Sequence, residues 1–398
     1  MWDGAGSTVD DPARGASRVP GGLLERPDRQ ADRDHEPDLT RPRIIFLATQ
    51  GAGHREGQRI KALLATLPAE EFAFDRSRKV GSAVRLVRRV LERRPDVVVM
   101  EGTGTAGGLT LLLLRVLLGV RYVISSGDAV GPFLGLRSRL LGVLGGAYER
   151  LLYRNCAGFV GWTPYLAGRA LTFGAPRAMT APGWARDEPA PGARARIRGE
   201  LGVAPETIVI GLVGSLHWNE RVGYVYGAEI VQAVRRTSRA DVVACIVGDG
   251  DGLARLQELA GDDLGKRVLL PGRVAPEEVT DYLSAFDAGS LSQSVDRVGS
   301  FRYTTKLSEY LAAGLPVISG QAPLAYDLDE GYLWRLPGEA PWSATFIDSL
   351  SALLEGLSRA EIDRRREAVT ALSWRLFDRD AQQRRMHAFL TDILAGRG

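Results

Sequence analysis

Apolar residues fall into two kinds of run along this chain. Short unbroken runs recur at Ile44–Ile45–Phe46–Leu47–Ala48, Val97–Val98–Val99–Met100, Ile208–Val209–Ile210–Gly211–Leu212–Val213, Val242–Val243–Ala244–Cys245–Ile246–Val247 and Val268–Leu269–Leu270. Between them lie segments with apolar residues at helical spacing, such as Ile60, Leu63, Leu64 and Leu67, or Ile230, Val231 and Val234. Unbroken runs predict strands buried on both faces, and their alternation with amphipathic helices predicts parallel sheets. The alternation occurs twice, so the expected fold class is α/β, with two doubly wound Rossmann-like domains facing across a cleft.

The segments that break this rhythm set the boundaries. Residues 1–41 are rich in Asp, Arg, Gly and Pro and are expected to be disordered, because so few large apolar groups cannot offset the entropy of ordering. Residues 185–197, Pro-, Gly-, Ala- and Arg-rich without periodicity, read as a linker. One domain is therefore expected at 42–184 and another at 198–372, with a last helix at 373–398. The most apolar run, 109–118, carries Arg115 and is too short to span a bilayer. It reads as a buried helix, with an interfacial helix as the alternative.

Charge changes the picture for the first domain. The net charge is only +3, yet residues 41–184 carry 21 Lys and Arg against 9 Asp and Glu. That surplus suggests an anionic partner. No recognisable nucleic-acid module accompanies it, so a phosphate-bearing or lipid-linked acceptor, or the anionic face of a membrane, fits better than nucleic acid. Cys156 and Cys245 lie far apart in apolar stretches and the four histidines share no close spacing, which argues against a metal centre. No secretion signal follows Met1, and the expected location is cytoplasmic, with peripheral contact at the inner membrane face.

The most informative stretch runs from Tyr303 to Ser319. Thr304 and Thr305 are hydroxyl residues of N-cap type, Leu307, Tyr310 and Leu311 share one face, Gly314 supplies a left-handed stop, and Pro316 bars continuation before Val317–Ile318. A helix start of this kind presents free N–H groups and a positive dipole end. Lys306 in the first turn suits phosphate oxygens, and Glu309 about one turn in can accept two hydrogen bonds from a vicinal diol. Together they suit a nucleotide diphosphate. A plain ion pair on the helix face is the alternative. Two other strand ends carry candidate chemistry. Thr49–Gln50–Gly51–Ala52–Gly53–His54 makes a glycine turn into a helix, where a ligand tolerates close backbone approach. Its spacing to Gly57, with Asp75 downstream, also suits a nicotinamide cofactor, on weak evidence. Asp128 closes the run Arg121–Ser126, where a short acid faces the ligand crevice.

Lys306-Leu-Ser-Glu309-Tyr-Leu-Ala-Ala-Gly-Leu-Pro-Val-Ile resembles the donor-binding helix of retaining GT-B glycosyltransferases, family 4 (glycosyl transferases group 1). The resemblance spans about residues 43–395, is strongest over 208–320, and implies that the helix at 373–398 crosses back to the first domain. It implies a hexosyltransferase (EC 2.4) that moves a sugar from a nucleotide-diphosphate sugar to an acceptor hydroxyl with retention. The donor is then a co-substrate, with no further cofactor and no metal. It implies that Glu309 holds the ribose and that Gly51 and Gly53 lie over the diphosphate. It further implies that Gly214, Arg221, Thr304, Thr305 and Lys306 bind the donor, with Gly272 and Arg273 lining the base pocket. Asp128 is the catalytic candidate, positioning the acceptor hydroxyl or the donor sugar.

The chain departs from the family pattern in three places. The usual cation after the loop glycine is Ser215. A histidine common near the end of the third main strand is replaced by Gly127–Asp128. The second glutamate, eight residues before Glu309, is Phe301, so Arg302 or Asp296 would have to assume its role. These departures keep two alternatives open: a nucleotide-sugar epimerase or hydrolase on the same fold, and an inactive nucleotide-binding relative.

Overall fold

The computed structural model describes residues 42–51, 53–184, 188–303, 305–369 and 376–396, so the tail expected over 1–41 and Thr304 lie outside the described residues. Each unbroken apolar run is a strand with parallel neighbours. One sheet contains β1 (Ile44–Ala48), β2 (Ala69–Glu71), β3 (Val97–Glu101), β4 (Tyr122–Ser126), β5 (Gly158–Gly161) and β6 (Ala178–Thr180), in the order β2-β1-β3-β4-β5-β6. The other contains β7 (Ile208–Val213), β8 (Val242–Val247), β9 (Val268–Gly272), β10 (Ala288–Leu291), β11 (Val317–Gly320) and β12 (Leu333–Leu336), in the order β12-β11-β10-β7-β8-β9. Every pairing within the two sheets is parallel. Strand order reverses between β1 and β3 in the first lobe and between β7 and β10 in the second. Ligands of such sheets bind outside the carboxyl ends at these reversal points.

Helices cover both faces of each sheet, which is why the strands inside the sheets are buried, whereas the edge strands β2, β6 and β9 are half-buried in part or whole. On the first sheet, one face packs against Lys79–Arg93, Thr105–Leu118, Arg139–Arg154 and Pro164–Thr172. The opposite face carries Arg55–Leu63 and the terminal helix Arg379–Leu394, whose Met386, Leu390 and Ile393 join the core of β1 and β3. That terminal helix comes from the far end of the chain. The Gln382 side chain donates to the Gly183 carbonyl at 2.6 Å and accepts from its N–H at 3.1 Å. A Cβ on Gly158 would lie 2.6 Å from the Phe389 ring, so the glycine is what lets the helix seat against β5.

Two expectations need correction. Residues 193–197, read as linker, belong to a helix, Ala193–Glu200. Ala193 and Ile197 recur at helical spacing and are both buried, a period too short to stand out among prolines and glycines. The run 109–118 is a helix, but only four of its ten residues are buried. Leu111 and Leu114 are 0% and 2% exposed, whereas Val116 and Leu117 are 74% and 68% exposed. No described element covers its outer side.

Candidate functional site

The reversal point of the second lobe gathers three of the residues singled out from the sequence, Gly214, Lys306 and Glu309. Gly214 directly follows β7, and a Cβ there would stand 3.2 Å from Nζ of Lys306, in the first turn of the helix Thr305–Ala312. A side chain there would crowd the ammonium, which lies at the end of β7. The same ammonium lies 4.9 Å from the centre of the Tyr226 ring, close enough for a cation–π contribution. Glu309 is half-buried one turn further along the helix. Beneath them, the fully buried Glu229 carboxylate accepts from Tyr224 Oη at 2.7 Å, Ser290 Oγ at 3.0 Å and the Gly227 N–H at 3.1 Å, and also from Ser292 Oγ. Burial raises its pKa, and these donors pull the other way. This hub links β10 to the helix Ala228–Arg236 and fixes the floor of the site.

Other predicted residues sit on the same carboxyl edge but further out. Gly272 (φ +84°) ends β9 and exposed Arg273 follows it, two strands from the reversal point, and the Gly272 carbonyl accepts from Gly248 N–H at 2.9 Å. Arg221 is exposed at the tip of a hairpin closed by Asn219 and Tyr224. Its charge reaches Asp296. Burial alone would raise that carboxyl, but the Gly299 and Val298 N–H groups, Ser294 and Arg221 together hold it below its ordinary value. Asp296 is thus occupied in capping the turn ahead of Phe301, accepting from Val298 N–H at 2.7 Å and Gly299 N–H at 2.8 Å.

The segment just before the donor helix reaches the first lobe. Arg302 Nε donates to Asp128 Oδ1 at 2.6 Å, with both side chains still a third to a half exposed. The Phe301 carbonyl accepts from Thr163 Oγ1 at 2.9 Å, and its ring packs on the first-lobe core with the Arg169 guanidinium 5.8 Å away. Tyr303 meets Tyr165 edge-on at 6.3 Å. Phe301 therefore holds the lobes together where an acid was expected from the family pattern. Arg302 is half-buried beside Asp128, and Asp296 is exposed with its carboxylate on the turn N–H groups.

In the first lobe, Gly51 (φ +108°) turns the chain after β1, its N–H bonded to the Ala48 carbonyl at 3.0 Å. Gly53 is exposed, and a Cβ on it would meet nothing within 4 Å. Behind this loop lies a cluster that sequence reasoning missed. Arg59 donates to Glu101 Oε2 at 2.9 Å, to Ser125 Oγ at 3.2 Å and to the Ala181 carbonyl, and its guanidinium stacks on Trp162 at 4.6 Å. Trp162 Nε1 donates to Glu101 Oε1 at 3.0 Å. The indole occupies the space a side chain on Gly127 would need, since a Cβ there would fall 2.7 Å from the ring. The glycine that replaces the family's histidine is thus matched to a large neighbour. Asp75, the acid a nicotinamide reading would need, is instead bonded to Ser77 N–H at 2.8 Å and Ser77 Oγ at 2.6 Å.

Glu56, in the first turn of Arg55–Leu63, faces the same cluster. Burial first, then the charges of Glu101 and Asp128, push its pKa from 4.5 to about 7, against the opposing pull of Arg59 and Arg76. A carboxyl in that range can hold or release a proton near neutrality. Because the folded-state value lies above the unfolded one, the folded chain binds the extra proton. Its stability therefore falls as pH rises from about 4.5 to about 7, then levels. Glu56→Gln should remove that slope. Urea unfolding of both proteins across this window checks it, and parallel pH profiles would refute the assignment.

The family model described as "Glycosyl transferases group 1" matches residues 207–355, and that described as "Glycosyl transferase 4-like domain" matches residues 28–183. No curated protein matches in sequence. Among solved structures, Anabaena HepE in complex with UDP superposes with a TM-score of 0.66 at 15% identity, covering 88% of this chain and 100% of that one. The same protein with UDP-glucose gives 0.64 at 17% identity, over 88% and 100%. Sucrose-phosphate synthase from Thermosynechococcus elongatus gives 0.65 at 15% identity, over 89% and 100%.

Proposed function

Since the chain belongs to the group 1 glycosyltransferases of GT-B architecture, we propose that it transfers a sugar from a nucleotide diphosphate sugar to an acceptor hydroxyl with retention at the anomeric carbon. The observation that carries this reading is the fit between Gly214 and Lys306, which sets an ammonium at the carboxyl end of β7, beside the reversal point of the second sheet. The start of Thr305–Ala312 adds the positive end of its dipole there. In this reading the bond from the anomeric carbon to the diphosphate oxygen breaks as the acceptor oxygen attaches to the same face. The acceptor proton passes to the departing phosphate or to a nearby carboxylate. Lys306, Arg221 and the helix end stabilise the negative charge that develops, so no metal or further cofactor is required. Glu309 grips the ribose, Arg273 and Gly272 border the base, and Gly51 and Gly53 close over the diphosphate. Asp128 positions the acceptor or the sugar, with Arg302 beside it.

The structures of HepE with UDP and UDP-glucose make uridine donors the first to try. The basic first lobe favours a lipid-linked or phosphate-bearing acceptor. The test is a mass-spectrometric screen of nucleotide sugars, with and without acceptor mixtures. One donor should be consumed only when acceptor is present. Consumption without acceptor would instead identify a hydrolase or epimerase, and binding without turnover an inactive relative.

A further inference from the structure

The described chain exposes 19 large apolar residues, and 15 of them lie between Val80 and Leu151, so the apolar surface is concentrated on helices of one lobe rather than scattered. These helices, Lys79–Arg93, Thr105–Leu118, Val130–Gly135 and Arg139–Arg154, lie outside the first sheet or directly after β4. Scattered exposed leucines are ordinary, but a contiguous concentration marks a contact surface. The local packing explains why they stay outside. Val130–Gly135 and Arg139–Arg154 press together through glycines: a Cβ on Gly142 would lie 2.9 Å from Gly135 Cα, and one on Gly145 would lie 3.1 Å from Gly131 Cα. Backbones this close leave no room between them for large side chains, and Leu140, Val143 and Leu144 stand 68%, 69% and 56% exposed.

Charge identifies what covers this face. Residues 79–154 carry 12 Lys and Arg against 5 Asp and Glu. Two of those acids are buried: Glu101 pairs with Arg59 and Glu149 with Arg169. Asp96 is largely buried against Arg43, and Asp128 is paired with Arg302. Glu92, paired with Arg88, is half exposed, and Glu70 of β2 answers Arg89 and Arg93, so cations still outnumber acids on this face. Two copies joined symmetrically through this face would set arginines against arginines, which is unfavourable. A surface of phosphates over hydrocarbon answers both features.

We propose that these four helices form the docking surface of the protein for an anionic lipid bilayer, with the exposed leucines and valines entering the acyl boundary and the arginines meeting headgroup phosphates. Docking is independent of the transfer reading, but it rests on that reading for its use. Val130–Gly135 begins two residues after Asp128, so the docked face borders the side of the cleft assigned to the acceptor.

Sedimentation of the full chain with phosphatidylcholine vesicles, with and without phosphatidylglycerol, tests the surface. The protein should bind only the anionic vesicles. Leu117→Glu with Leu144→Glu should lower the partition coefficient about tenfold or more, while thermal unfolding and nucleotide-sugar binding stay unchanged. Absence of vesicle binding overturns the proposal. So does binding unaffected by the leucine changes, or a dimer in light scattering that these changes dissolve. Loss of sugar transfer with intact docking, or the reverse, tells the two readings apart.

Discussion

Glu101→Ala should destabilise the protein by about 3–5 kcal/mol, the range for removing one partner of a buried ion pair. The Glu101 side chain accepts from Arg59 at 2.9 Å and from Trp162 at 3.0 Å, and it is 0% exposed. Without it, a guanidinium that is 9% exposed keeps only neutral acceptors, Ser125 Oγ and the Ala181 carbonyl. Burial already lowers the Arg59 pKa, with the Glu101 charge as the main opposing effect. Glu101→Gln keeps an acceptor for the guanidinium and should cost less. Equilibrium urea unfolding measures both. A loss below about 1 kcal/mol for the alanine variant, the level of a surface pair, would mean that the cluster is open to water.

Glu309→Ala is expected to weaken nucleotide binding about a hundredfold, because a charge-assisted hydrogen bond contributes about 1.5–3 kcal/mol and the carboxylate is assigned two. Glu309 is only half-buried, so folding stability should change little. Calorimetric titration with UDP, or with whichever nucleoside diphosphate the screen selects, gives the affinity. The alternative, a helix-face pair with Lys306, predicts a small loss of helix stability and unchanged nucleotide affinity.

The architecture was largely legible in the chain because parallel strands covered on both faces are written as unbroken apolar runs. Ile44–Ala48 and Ile208–Val213 are wholly or almost wholly buried strands for that reason. β2 and β12 were not legible. They are short edge strands, and Glu70 and Glu71 or the exposed Arg335 interrupt the apolar signal.

The donor side could be read because Lys306 and Glu309 sit on one continuous helix with its own stop signal. The first-lobe cluster could not, because Arg59, Glu101, Ser125 and Trp162 come from four separate segments and meet only once the sheet forms. Gly127 conveys nothing until Trp162 is seen lying where its side chain would be. Phe301 appeared as a lost acid, and the fold uses it as a contact between lobes. The run 109–118 misled in the opposite sense. Its composition is that of a core helix, yet Leu113 is 52% exposed, and apolar content alone does not say whether a second layer exists.

A crystal structure of the complex with the donor selected by the screen tests the central assignment most directly. The account predicts diphosphate oxygens within about 3 Å of Lys306 Nζ, in front of the start of the helix Thr305–Ala312, with the pentose hydroxyls on Glu309. A donor whose phosphates rest in the first lobe, clear of β7 and of the helix Thr305–Ala312, would contradict it.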